Sequence, residues 1–132
     1  MNNIINWQAN KVVEDGCGGT IYKIVDVDNS NLRNVEIAMC IFAPGEIGQL
    51  HYHKNMEEIY FVLEGEGEIV LNGISHTVKT EDAVAIPAGT KHQIRNTSQE
   101  KSLRFVAVNS PSWSAADMIP VKQIKDEPTR PV

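Results

Sequence analysis

Cysteine is scarce in this sequence of 132 residues, which holds only Cys17 and Cys40. They lie far apart, one among glycines and one among apolar residues, and make no disulfide framework. Two free thiols in a reducing, cytoplasmic setting are the expectation. Basic residues are few as well: 12 Lys and Arg stand against 17 Asp and Glu, for a formal net charge of −5. No Lys or Arg cluster interrupts that balance, so a nucleic-acid partner is not expected. No apolar run is long enough to span a bilayer, and Met1–Trp7 lacks a basic stretch followed by an apolar one, so neither a secretory leader nor a membrane partner is expected. No long stretch follows a period of 3.6. Serine-nucleophile, Walker and dinucleotide patterns are absent. Gly16-Cys17-Gly18-Gly19 has neither the spacing nor the following helix that phosphate binding needs.

What is present is a globular composition, 42% hydrophobic and 22% charged, in a chain of single-domain size. Short β-branched and apolar runs alternate with turn residues, which predicts an all-β fold. Strands are expected at Thr20–Val27, Val35–Ala43, Gln49–His53, Glu58–Leu63, Gly67–Leu71, Ile74–Lys79, Ala83–Ile86, Lys91–Arg95 and Leu103–Val108. Asn72-Gly73 is a two-residue hairpin signal, since both positions tolerate positive φ. Ser114 with Asp117 three residues on predicts a single helical turn within Ser110–Met118. From Lys122 onward the chain reads as a loose arm, and Trp7 and Trp113 as closures of the barrel. The division is a barrel core at about residues 34–109, an N-terminal strand region at 1–33 and a C-terminal arm at 110–132. This many short strands at hairpin spacing predict a double-sheet jelly-roll barrel.

Three of the four histidines fall in two compact neighbourhoods. Residues two apart on a strand share a face, so His51 and His53 project together, on the side of Gln49. Two imidazoles on one strand face can converge on one metal ion. After the turn at Lys54-Asn55-Met56, only one of Glu57 and Glu58 faces inward. Ile59 and Phe61 share a face with Glu57, while Tyr60 and Val62 share one with Glu58, so parity leaves the choice open. His92 opens a strand after the turn Pro87-Ala88-Gly89-Thr90. His76 lies in neither neighbourhood and is expected to be exposed or to stand behind the ligands. Glu57, Glu64, Glu66 and Glu68 read as a solvated rim.

Gly45, His51-Tyr52-His53, Glu58 and Gly65, at this spacing, resemble the first motif of the cupin superfamily. Pro87-Ala88-Gly89, His92 and Asn96 resemble the second, and the 21 residues between them, Glu66 to Ile86, are similar in length to the spacers of small single-domain microbial cupins akin to quercetin dioxygenases. One position departs from the pattern: Glu81 stands where the second motif has its first glycine. The resemblance implies a double-stranded β-helix and chooses Glu58, with Glu57 facing away and Ile59 and Phe61 packing on a second sheet or a partner subunit. It implies one divalent transition metal ion (Mn, Fe, Ni, Co, Cu or Zn) held by His51, His53, Glu58 and His92, with Glu58 also serving as a base. It further implies a dioxygenase-like oxidoreductase for a small oxygenated substrate, with an isomerase, a lyase or a non-catalytic binding module for a sugar or organic acid as alternatives. A homodimer, formed through sheet faces or exchanged N-terminal strands within residues 1–27, is the implied assembly. Gln49 and Tyr60, on the ligand faces, are candidates for the substrate pocket or the shell behind the ligands, with plain packing as the even alternative; Met39 and Ile41 are expected first in the core and only second in the pocket.

Overall fold

The computed structural model describes residues 3–9, 12–13 and 18–122, and in it the alternating runs become strands. A 3₁₀ turn, Trp7–Ala9, precedes β1 (Val12–Val13), β2 (Thr20–Val25), β3 (Glu36–Phe42), β4 (His51–His53), β5 (Glu57–Glu64), β6 (Glu66–Leu71), β7 (Ile74–Lys79), β8 (Ala83–Ile86), β9 (His92–Asn96), β10 (Leu103–Ser110) and β11 (Met118–Pro120). One sheet has six strands in the order β1-β2-β3-β10-β5-β8, and the other has five in the order β11-β4-β9-β6-β7. From β3 onward the chain changes sheet at every step except the β6–β7 hairpin. That winding is the double-stranded β-helix.

β5 displays why two sheets form. Glu58, Tyr60 and Val62 are buried while Glu57, Ile59 and Phe61 are exposed. Between the sheets, Val62, Ile69 and Leu103 are wholly buried and Phe42 packs on Phe105 with ring centroids 5.8 Å apart. Each such side chain contributes about 1.5–3 kcal/mol of transfer free energy.

The turns set the register. Asn72 and Gly73 take φ of 47° and 84°, as the hairpin requires. Asn72 Oδ1 also accepts a bond from Lys91 N at 2.9 Å, fixing the chain one residue before His92. Gly65 has φ of 89°, and a side chain there would meet the Ser102 carbonyl at 2.5 Å. Glu81, where the family pattern has glycine, keeps the glycine conformation with φ of 75°.

Three expectations need correction. The strand expected to reach Val27 ends at Val25, because the Asp26 amide bonds Asn29 Oδ1 at 2.9 Å and Ser30 Oγ bonds the Asp26 carbonyl, closing a turn. β10 runs past Val108 to Ser110. The helical turn expected within Ser110–Met118 is absent. Asp117 N bonds the Ser114 carbonyl at 3.2 Å in a simple turn, and the chain then enters β11, where pairing with β4 satisfies the backbone better than an isolated helical turn. Cys40 is buried, whereas Cys17 and the arm beyond residue 122 lie outside the described residues.

Candidate metal centre

β4 and β9 lie side by side, and His51 stands directly opposite His92. His53, two residues along, shares the inward face, and its carbonyl accepts a bond from Gly89 N at 2.7 Å, which ties the Pro87–Thr90 turn to β4. Glu58 arrives from the facing sheet on β5. All four side chains are buried, and one ligand atom from each lies within 4.8 Å of all the others. Glu58 Oε1 is 3.3 Å from His92 Nε2 and 3.7 Å from His53 Nε2.

Glu58 Oε1 and His92 Nε2 are buried and make no hydrogen bond. Leaving such atoms unsatisfied costs about 1–3 kcal/mol each, a cost that a shared cation removes. Three imidazoles and a carboxylate are the donor set of a first-row divalent transition metal. These residues therefore fit the metal that the fold implies.

The rings are preset for ligation. His51 Nδ1 donates to the Gln49 carbonyl at 2.7 Å and His92 Nδ1 to the Thr90 carbonyl at 2.9 Å. A carbonyl can only accept, so each Nε2 is left as the basic atom. His53 Nδ1 faces Asp117 Oδ2 at 3.9 Å. Burial, aided by the neighbouring His92, lowers the His51 pKa from 6.5 to about 4, against the opposing pull of the Gln49 bond. The ring is neutral at pH 7, the state in which imidazole binds metal.

The four residues form part of the wall of a cavity of about 120 Å³ between the sheets. Of the substrate candidates, Gln49 and Tyr60 line it. The Gln49 amide is engaged with the Leu50 carbonyl at 2.9 Å, and the Tyr60 ring stands 6.2 Å from that of His92. Met39 and Ile41 do not line it, which corrects the pocket alternative, while Met39 is buried, in line with the core expectation. Cys40 is the inward residue of β3, in register with Ile21 and Phe105, so its neighbours Met39 and Ile41 turn to the outer face. His76 is exposed, as are Glu57, Glu64 and Glu66, and Glu68 pairs with Arg95 at 2.6 Å. Asn96 is structural: its amide bonds the Phe42 and Lys101 carbonyls at 3.0 and 2.7 Å.

Sequence reasoning missed several residues. Trp113 lines the cavity in addition to any closing role. Asp117 accepts the Asn55 and Met56 amides at 2.8 and 3.1 Å, anchoring the β4–β5 turn behind His53. Its spacing from Ser114 pointed only to a helical turn, and no local signal marks the anchoring role, because its partners lie about 60 residues away. Asn109 and Glu36 also line the cavity. Asn109 was legible by alternation from Leu103, Phe105 and Ala107, provided the strand was carried past Val108.

Residues 38–109 match the cupin domain family. This chain belongs to it. An uncharacterised protein of Aquifex aeolicus is 30% identical over 104 residues, covering 79% of this chain and 83% of the relative. An oxalate-binding protein of Thermotoga maritima is 38% identical over 65 residues, 49% of this chain and 53% of its own length. Among solved structures, the polyketide cyclase RemF from Streptomyces resistomycificus superposes with a TM-score of 0.77 at 22% identity, covering 96% of this chain and 89% of that one, which supports the fold. The cupin ligand positions are those at which this chain gathers His51, His53, Glu58 and His92, so the four are placed to bind a metal ion. Among the described residues, no helix is long and apolar enough to cross a membrane.

Proposed function

We propose that this cupin is a metal-dependent enzyme acting on a small oxygenated organic substrate, with dioxygenase-like oxidation as the first reading. The observation that carries it is the placement of His51, His53, Glu58 and His92 in the wall of a largely apolar cavity. A bound divalent transition metal supplies Lewis acidity toward a substrate oxygen and, for a redox-active ion, an electron route to dioxygen. The three imidazoles would hold the ion through their unprotonated nitrogens. Glu58 would be both ligand and proton acceptor, a carboxylate oxygen released from the ion being the atom on which a substrate proton would land. Apolar residues such as Ile94, Phe105 and Ala107 keep water from the site and strengthen its electrostatics.

Elemental analysis of protein purified without added metal, followed by an oxygen-consumption screen, tests the reading. Bound transition metal and substrate-dependent oxygen uptake are expected. Wild type without metal, or unchanged metal in a His51→Ala/His92→Ala variant, would sink it. The buried Glu58 carboxylate in the cavity wall favours a second reading, isomerase or lyase chemistry in which it moves a proton without dioxygen; turnover under nitrogen selects it. The oxalate-binding relative supports a non-catalytic alternative, which predicts tight binding and no turnover in either atmosphere.

The assembly we propose is a homodimer. Its support is the outer face of β5, where Ile59, Phe61 and Leu63 are 48, 40 and 40% exposed in one row. Sedimentation velocity of wild type against Phe61→Lys checks it, with a dimer expected to become a monomer.

A further inference from the structure

One rung of the six-stranded sheet carries polar residues on three adjacent strands. Asn109 of β10 stands in register with Glu36 of β3 on one side and Glu58 of β5 on the other, and all three line the cavity. The next two rungs inward are Ala38-Ala107-Tyr60 and Cys40-Phe105-Val62. Along β3, β10 and β5 the carboxylates and amide are thus gathered at the rung beside the metal centre, while Lys23 of β2 extends the Ala38 rung.

Asn109 is only 4% exposed. Its Nδ2 donates to Glu36 Oε2 at 2.7 Å, which fixes which way the amide points. Its Oδ1 is buried and has no hydrogen-bond partner. Buried acceptors are rarely left so, and such an atom calls for a missing donor. The neighbours along the rung are carboxylates, which only accept when ionised. A donor carried by a ligand in the cavity would supply it.

We infer that Asn109, oriented by Glu36, is a specificity residue that accepts a hydrogen bond from a substrate hydroxyl, so that the pocket selects a small hydroxy-carbonyl compound over a dicarboxylate. The inference deepens the proposed function and rests on it for the carbonyl end of the ligand. Paired strands set Asn109 and Glu58 on the order of 5 Å apart at Cα, so the hydroxyl sits one or two carbons from the group that meets Glu58 and the histidines. A diacid is poorly matched. Among the described residues, Lys23 is the one Lys or Arg side chain lining the cavity, and its Nζ is engaged by Asp26 at 2.9 Å and Asp28 at 3.4 Å. Asp26, Glu36 and Glu58 add three carboxylates to the same wall.

Calorimetric titration of metal-loaded and metal-free protein with α-hydroxyacetophenone, its methyl ether and phenylmalonate tests this. The hydroxy ketone is expected to bind about tenfold more tightly than the ether, the value of one satisfied hydrogen bond. Phenylmalonate, a dicarboxylate without a hydroxyl donor, is expected to bind more weakly than the hydroxy ketone. In Asn109→Leu the preference falls to none, with metal content unchanged. A merely structural asparagine would instead leave the preference alone. Glu36→Gln, which still offers Nδ2 an acceptor, keeps the preference, and Glu36→Ala, which unties the amide, reduces it severalfold; this pair decides the matter if Asn109→Leu folds poorly. No binding of the hydroxy ketone, equal affinities in wild type, or a preference that survives both Asn109→Leu and Glu36→Ala overturns the inference. Metal content is read separately, so a protein without metal breaks the proposed function while the metal-free titration still reports on Asn109.

Discussion

In the five-stranded sheet, the His51 and His92 rings are each held through Nδ1 by a backbone carbonyl, and His53 Nδ1 faces Asp117; in the six-stranded sheet, Glu58 Oε1 and Asn109 Oδ1 are buried with no hydrogen bond. The chemistry of the side chains explains the contrast. An imidazole has two nitrogens on opposite sides, so one can be spent on the scaffold while the other ligates. A carboxylate or amide presents its oxygens at one end, so an oxygen turned to the cavity waits for a ligand. One sheet is a preset platform and the other meets what enters. The largest test of the contrast is removal of platform rings. His51→Ala/His92→Ala is expected to lower metal affinity by more than about a hundredfold, beyond the 10–100-fold typical of residues behind the ligands. Glu58→Gln is expected to keep metal with a smaller loss of affinity and to abolish turnover. Competition with a chelating dye measures both, and equal losses in the two variants would remove the distinction between the sheets.

The platform also has a cost that pH exposes. His51 titrates at 6.5 when unfolded and at about 4 when buried, so between those values the unfolded chain binds more protons. Stability is fully present above pH 6.5 and is lost as pH falls toward 4. The change amounts to about 3 kcal/mol for the metal-free protein, a melting temperature lower by roughly 10 °C. His51→Leu should flatten that slope, and a melting temperature independent of pH across this window in wild type would contradict the burial argument. Metal affinity should fall in the same direction, because the ion competes with protons for the ring.

A smaller effect is expected at Asp117, which holds the third ring's side of the platform. Asp117→Ala removes the acceptor of two backbone amides and the carboxylate beside His53. A stability loss of about 1–2 kcal/mol and a metal affinity lower by about tenfold are expected. Asp117→Asn, which retains one acceptor oxygen, should recover much of the stability and little of the affinity. Denaturant unfolding and dye competition on the same samples separate the two effects, and a metal affinity untouched by Asp117→Ala would reduce its role to the turn.

Strands, hairpin and the His51/His53 half of the platform were legible in the sequence because they depend on local alternation and on residues close together, whereas His92 joined them only through the family pattern. His51 and His53 share a face by the two-residue period alone, and Asn72-Gly73 states its turn in two letters. The Glu57/Glu58 choice was not legible locally. Ile59 and Phe61 are apolar yet point outward, so hydrophobicity misled and the family pattern decided. In β3 both faces are apolar, so alternation alone did not say whether Met39 and Ile41 or Cys40 faced the cavity. Asp117, Trp113 and Glu36 act on elements far from them in the chain, and only pairing of β11 with β4 and of β10 with β3 brings them to the site.

Glu81 lies in the turn from β7 to β8, where the chain crosses from the platform sheet to the other one. It holds φ of 75°, a conformation unfavourable by about 1–2 kcal/mol for a residue with a Cβ. The turn keeps that shape because the Glu81 amide donates to the Val62 carbonyl at 2.8 Å and the Val62 amide to the Asp82 carbonyl at 2.9 Å, bonds that tie the crossover to the core of the six-stranded sheet. Glu81→Gly relieves the strain but adds freedom to the unfolded chain, so a net gain of about 0.5–1 kcal/mol is expected. Because the turn touches neither ring platform nor cavity, metal affinity and the hydroxyl preference should stay as they are. A gain in stability accompanied by a changed metal affinity would mean that the crossover couples the two sheets at the site, and the division of labour between them would have to be redrawn.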